Sequence, residues 1–203
     1  MSHKADISTD EALQRLMDGN ERFLKGETRL PGLQREALAG LAHGQHPFAT
    51  ILGCSDSRVP PEWIFDAGLG ELFVVRVAGN VLSPEVAGSL QYAGCHLQTP
   101  LMVVLGHEGC GAIQAALQVK FESLQQLSRI QLLVDSILPA LAGVDPELPL
   151  PARLAQAVES NVRWTVQMII ESPEGRARAA EGRVKCVGAI YEIETGRVRF
   201  LEA

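Results

Sequence analysis

Residues 48–58 read Phe48-Ala49-Thr50-Ile51-Leu52-Gly53-Cys54-Ser55-Asp56-Ser57-Arg58, an apolar run that stops at a cluster of reactive side chains. The run Phe48 to Gly53 does not alternate polar with apolar residues, as expected of a strand buried on both faces. Leu72 to Val77 (LFVVRV) and Leu101 to Leu105 (LMVVL) repeat the pattern. Val184 to Ile193 reads as a fourth strand. Thr195-Gly196 is a turn into a fifth, Val198 to Leu201, which can return antiparallel. Helical patterns lie between and after these runs, at Glu85 to Leu97, Ala112 to Val119 and Ala152 to Glu171. Alternating strands and helices predict an α/β fold. Its central sheet is mostly parallel, four strands plus an antiparallel edge strand, and helices flank it.

Upstream, Ser8 and Glu11 have the spacing of a capping box. Leu13, Leu16, Met17, Phe23 and Leu24 then share one helix face. A Gly- and Pro-containing passage follows from Gly26 to Gly32, and a short helix from about Gln34 to Ala42. Residues 1–44 are therefore expected to form an N-terminal helical arm on a single domain spanning 1–203. The segment Asp145 to Pro151 holds three prolines and reads as a loop.

Composition narrows the function. At 203 residues, 46% hydrophobic and 21% charged, the chain has the make-up of a folded globular protein. A net charge of -6 disfavours nucleic acid and anionic membranes as partners, which usually need a basic face. No apolar run reaches the roughly 18 residues of a membrane span. Met1 to Asp10 has no apolar core of a secretory signal. Four cysteines are too few for a secreted disulfide scaffold, so they read as metal ligands or buried thiols in a reducing, cytoplasmic setting.

Two segments carry chemistry: Cys54-Ser55-Asp56-Ser57-Arg58 and His107-Glu108-Gly109-Cys110-Gly111. Each begins where a buried strand ends, and ligand sites of open α/β sheets gather at the carboxyl ends of strands. Cys54, His107 and Cys110 can thus meet in space. Two thiolates and an imidazole suit zinc, with a fourth position open. Gly109 and Gly111 allow a tight turn around the metal, and Cys110 near a helix start favours a thiolate. An isolated H-x-x-C carries little weight; two segments, each after a strand, carry more. Asp56 and Arg58, two apart, project alike from an extended segment and form an ion pair that keeps the carboxylate charged and aimed.

The chain resembles the β-class carbonic anhydrases. The likeness rests on CSDSRVPP (54–61), ELFVVRVAGN (71–80), GSLQYA (88–93) and GHEGCGA (106–112), and extends into ESNVR (159–163) and KCVGAIYEIETGRV (185–198). It implies zinc-dependent, reversible hydration of carbon dioxide to bicarbonate and a proton, by hydroxide generated at the metal. The implied zinc ligands are Cys54, His107 and Cys110, one ion per chain, with Asp56 and Arg58 as the catalytic pair. The resemblance further implies a substrate pocket of Gln45, Phe73, Ala78, Tyr92 and the Gly111 amide, built across the interface of a homodimer or a larger assembly of dimers. His96 matches a position proposed as a proton shuttle in some relatives, although helical histidines are more often structural. Ile51 stands where some bacterial members carry a tryptophan linked to an inhibitory bicarbonate pocket. This points to the open-site subtype, in which Asp56 stays with Arg58. Two alternatives keep the scaffold and change the function: a hydrolase of carbon disulfide or carbonyl sulfide, and a non-enzymatic zinc scaffold or sensor. Cys95 and Cys186 read as small buried hydrophobes, His43 and His46 as exposed loop residues, His3 as disordered, and Glu108 as facing away from the metal.

Overall fold

The computed structural model describes residues 7–29, 35–182 and 184–202. His3, Gln34 and the end of the Gly26-to-Gly32 passage lie outside them. The strands are β1 (Ala49–Gly53), β2 (Leu72–Arg76), β3 (Leu101–His107), β4 (Lys185–Tyr191) and β5 (Val198–Phe200). They form one sheet in the order β2-β1-β3-β4-β5. The first four run parallel and β5 pairs antiparallel with β4, as the apolar runs predict.

The alternation of side chains along buried strands divides the interior into two cores. On one face Leu52, Met102, Val104 and Ile190 pack against helices α4 (Pro84–Tyr92), α5 (Gly111–Glu122), α6 (Ser128–Ile137) and α7 (Leu150–Glu171). On the other face Ala49, Ile51, Leu101, Val103 and Ala189 pack with Ala12 and Leu16 of α1 (Thr9–Lys25) and Ile64 of α3 (Pro61–Ile64). The capping box at Ser8 and Glu11 is formed as expected, and the short helix expected near Ala42 is α2 (Arg35–Leu41). Asn20 ties α1 to this domain: its Nδ2 donates to the carbonyls of Ile64 and Gly196, and its Oδ1 accepts from the Val198 amide.

Several sequence expectations need correction. The helix expected from Glu85 to Leu97 is α-helical only to Tyr92, and Ala93–Leu97 widens into π-type turns. The Asp145-to-Pro151 loop ends earlier, because α7 already begins at Leu150. Pro151 sits in its first turn, where a missing N–H costs no hydrogen bond. Helices α6 and α8 (Pro173–Ala180) are additional to the helices expected: α6 buries Val134 and Ile137, whereas α8 buries none of its residues. Cys95 is exposed rather than buried, and Cys186 is half-buried with burial pushing its thiol up to about 12.

Helix α7 lies close on the sheet at two glycines. A Cβ on Gly106 would fall 2.5 Å from Val162 Cγ2, and one on Gly188 would fall 2.8 Å from Val162 Cγ1. The notch at Gly106 immediately precedes His107.

Candidate metal centre

Cys54 is the first residue after β1 and His107 the last of β3, so adjacent parallel strands deliver both to one end of the sheet. Cys110 is the residue on which α5 begins, which puts its sulfur at the positive end of the helix dipole. Gly109 takes a φ of +62°, the turn that brings Cys110 back toward His107, whereas Gly111 is an ordinary first residue of α5. The ligand atoms of Cys54, His107 and Cys110 lie within 4.8 Å of one another and all three residues are buried. The two sulfurs are 4.0 Å apart.

His107 shows how this cluster is poised. Its Nδ1 lies 2.8 Å from the Glu108 carbonyl oxygen, so Nδ1 carries the proton and donates. Nε2 is then left with a lone pair, and it is buried with no hydrogen-bond partner among the described residues. A buried polar atom without a partner is costly, and here it faces two sulfurs. Glu108 turns away, as expected: its Oε2 accepts from the Ile193 amide. The contact with Cys110 holds the Cys54 thiol well below its ordinary range, and the same contact together with burial pushes Cys110 up. A divalent cation relieves this conflict by letting both ionise. The set of two soft sulfurs and one imidazole fits zinc.

Asp56 stands beside this cluster. Arg58 donates through Nε and its backbone amide to Oδ1 at 2.9 and 3.0 Å, and through Nη2 to Oδ2 at 2.8 Å. These bonds hold the carboxyl far below the usual carboxylate range. Oδ2 is 3.9 Å from His107 Nε2, so the carboxylate borders the Cys–His–Cys cluster while staying with Arg58.

Three supporting residues were not singled out from the sequence. Arg76 donates from Nε to the Cys54 carbonyl at 2.9 Å and from Nη2 to the Asp56 carbonyl at 2.6 Å, which pins the segment between them. Its signal is one cation in an otherwise apolar run. The Gly79 amide donates to Cys54 Sγ at 3.4 Å. Asn161 of α7 donates from Nδ2 to the Gly79 carbonyl at 2.9 Å, and its signal is a polar residue on the apolar face of a helix.

The expected pocket residues are not all brought together. Ala78 and Gly111 flank the cluster in sequence, next to Gly79 and Cys110. Phe73, Tyr92 and His96 form a separate aromatic group, with ring centroids 6.2 Å apart for Phe73–Tyr92 and 4.9 Å for Tyr92–His96. Phe73 is in register with Thr50, four residues before Cys54, or about 13 Å along a strand. Gln45 is exposed and precedes β1, toward that same far end. His43 and His46 are exposed, as expected.

Comparison with known proteins gives a consistent pattern. Residues 49–198 match the family model described as carbonic anhydrase. The chain is 40% identical over 188 residues to carbonic anhydrase 2 of Mycobacterium tuberculosis (strain CDC 1551 / Oshkosh), covering 92% of this chain and 89% of that one. The solved structure of the β-carbonic anhydrase CcaA superposes with a TM-score of 0.75 at 29% identity, over 94% of this chain and 95% of that one. A Coccomyxa β-carbonic anhydrase solved with acetazolamide also gives 0.75, at 27% identity over 93% and 86%.

Proposed function

The chain belongs to the β-carbonic anhydrase family, and from that premise we propose how its own residues carry the reaction. It is a carbonic anhydrase, interconverting carbon dioxide and water with bicarbonate and a proton. Hydrolysis of sulfur-containing gases and a purely structural role are not favoured.

The metal is Zn2+, one per chain, held by Cys54, His107 and Cys110. What supports this most is the buried Nε2 of His107, unpartnered among the described residues and within 4.8 Å of both sulfurs. Three protein ligands leave a position open, as in catalytic rather than structural zinc sites. Bound there, zinc lowers the pKa of water toward neutrality and polarises substrate oxygen.

The remaining work falls to the protein. Asp56, acceptor-only while ionised, takes a hydrogen bond from the attacking water and fixes which lone pair faces carbon dioxide. Arg58 keeps that carboxylate charged and aimed. Arg76 holds the backbone on either side of Ser55, so Cys54 and Asp56 keep one relative position. Gly111, first residue of α5, offers an amide that has no partner within the helix to the oxygens that gain charge in bicarbonate. Ala78 lines the adjacent wall.

Gln45, Phe73 and Tyr92 stand toward the other end of β1 and β2, so we assign them to the pocket of a second copy, in a homodimer or an assembly of dimers. His96, packed on Tyr92, is the candidate proton shuttle at that shared wall. The described residues are read as one domain, with 7–29 and 35–44 as its N-terminal arm. No described helix is long and apolar enough to cross a membrane, and the exposed free thiol of Cys95 suits a reducing cytoplasm. Zinc content of Cys54→Ser and Cys110→Ser tests the ligand assignment. Each is expected to lose most of its zinc, and full retention in both would contradict the assignment.

A further inference from the structure

We propose that Asn161 is a positioning residue for the metal centre: from helix α7 it holds the Gly79 carbonyl, and with it the turn at Gly79 whose amide, on the other side of the same Cα, donates to Cys54 Sγ. This rests on the reading of Cys54 as a metal ligand.

The chain of contacts is short. Asn161 is 1% exposed. Its Nδ2 donates to the Gly79 carbonyl at 2.9 Å, and the Gly79 amide donates to Cys54 Sγ at 3.4 Å. The turn at Gly79 departs from regular helix geometry, so its carbonyl is not held by a helical neighbour. Gly79 has a φ of +66°, a conformation that favours glycine, and a Cβ there would meet Ile137 Cδ1 at 3.0 Å and Ala112 Cβ at 3.2 Å. Local support comes from the amides of Val77 and Asn80, which donate to Gly53 and Val77 carbonyls at 3.1 and 3.0 Å. These fix the flanks of the turn; the Gly79 carbonyl is fixed by Asn161.

Helix α7 is suited to this because it is itself immobilised on the sheet. Val162, the next residue, fills the notches left by Gly106 and Gly188. Gly106 precedes His107, so one helix turn braces both the backbone before the imidazole and the turn whose amide faces the thiol. A buried asparagine on an apolar face needs a reason, since its amide loses water on folding. Within the core, this hydrogen bond supplies it. A donor to a ligating sulfur tunes and orients it, and loss of such outer partners typically costs about 10–100-fold in metal affinity.

The test compares Asn161→Ala, Asn161→Ser and Asn161→Asp with Val166→Ala, a packing control partly buried against the same core. The aspartate is near-isosteric but sets a carboxylate oxygen against the Gly79 carbonyl. Zinc affinity is measured by chelator competition, and the sulfur-to-metal charge-transfer band is read on the cobalt-substituted protein. Melting temperature ranks the loss of stability. Asn161 variants that fold are expected to bind zinc about tenfold or more weakly and to shift the band, with the control unchanged in both at a similar melting temperature. Wild-type zinc affinity and an unshifted band in any folded Asn161 variant would overturn the proposal. So would a control that loses as much affinity for the same loss of melting temperature. Failure of the unmutated protein to bind zinc would instead overturn the ligand reading on which the proposal stands.

Discussion

Arg58 grips Asp56 from two sides, with Nε on Oδ1 at 2.9 Å and Nη2 on Oδ2 at 2.8 Å. The grip leaves Oδ2 3.9 Å from His107 Nε2. The carboxylate therefore borders the atoms proposed to hold the metal without competing for them. Asp56→Asn removes the charge and one acceptor oxygen at nearly constant shape. It is expected to keep zinc and lose about tenfold or more in kcat. Steady-state kinetics with metal quantified on the same sample measures this, and full activity would contradict the role given to the carboxylate.

The pocket wall can be tested by mixing defects. If Gln45 acts on the partner's site, a dimer of one Asp56→Asn chain and one Gln45→Ala chain has one site with both defects and one with neither. Co-expressed and purified as the mixed species, it is expected to be more active than either parent. Activity no higher than the mean of the parents would place Gln45 and Asp56 in the same chain's site.

Gly79→Ala introduces a side chain at a φ of +66° and against Ile137 and Ala112. Strain and crowding together should cost about 1–3 kcal/mol. Urea denaturation measures it, and an unchanged midpoint would show that this turn relaxes freely.

Glu159 joins α7 to β5 by accepting from Arg199 at 3.0 Å and from Arg163 at 2.9 and 3.0 Å. Burial raises its pKa, but the two guanidiniums outweigh that and leave it below its ordinary 4.5. A carboxylate depressed in the folded state adds stability above its unfolded pKa, and that stability is lost as pH falls through the folded value. Glu159→Gln is thus expected to be less stable than the unmutated protein at pH 7, by under about 1 kcal/mol for so exposed a group. The gap should close as pH falls through the folded-state pKa. Denaturation midpoints as a function of pH measure this, and a gap that widens in acid would have the wrong sign.

The sheet was legible because β1 and β3 are buried on both faces and so are apolar without interruption. The meeting of Cys54, His107 and Cys110 was legible because Cys54 and His107 each close such a run, and parallel strands bring their carboxyl ends together. The Asn161 bond to Gly79 was not, since nothing local in the sequence relates a helix residue to a turn so far before it. Phe73 and Tyr92 could be named from the resemblance, but register decides their place, and Phe73 pairs with Thr50 rather than with the end of β1. Pro151 misled for a local reason: proline is acceptable in a helix's first turn as well as in a loop.

The most direct measurement is stopped-flow hydration of carbon dioxide from roughly pH 6.5 to about 9, with zinc quantified on the same sample. The expected result is one zinc per chain and turnover already present near neutral pH, because Asp56 is held by Arg58. One zinc per chain with no hydration at any pH would contradict the assignment of catalysis to this site.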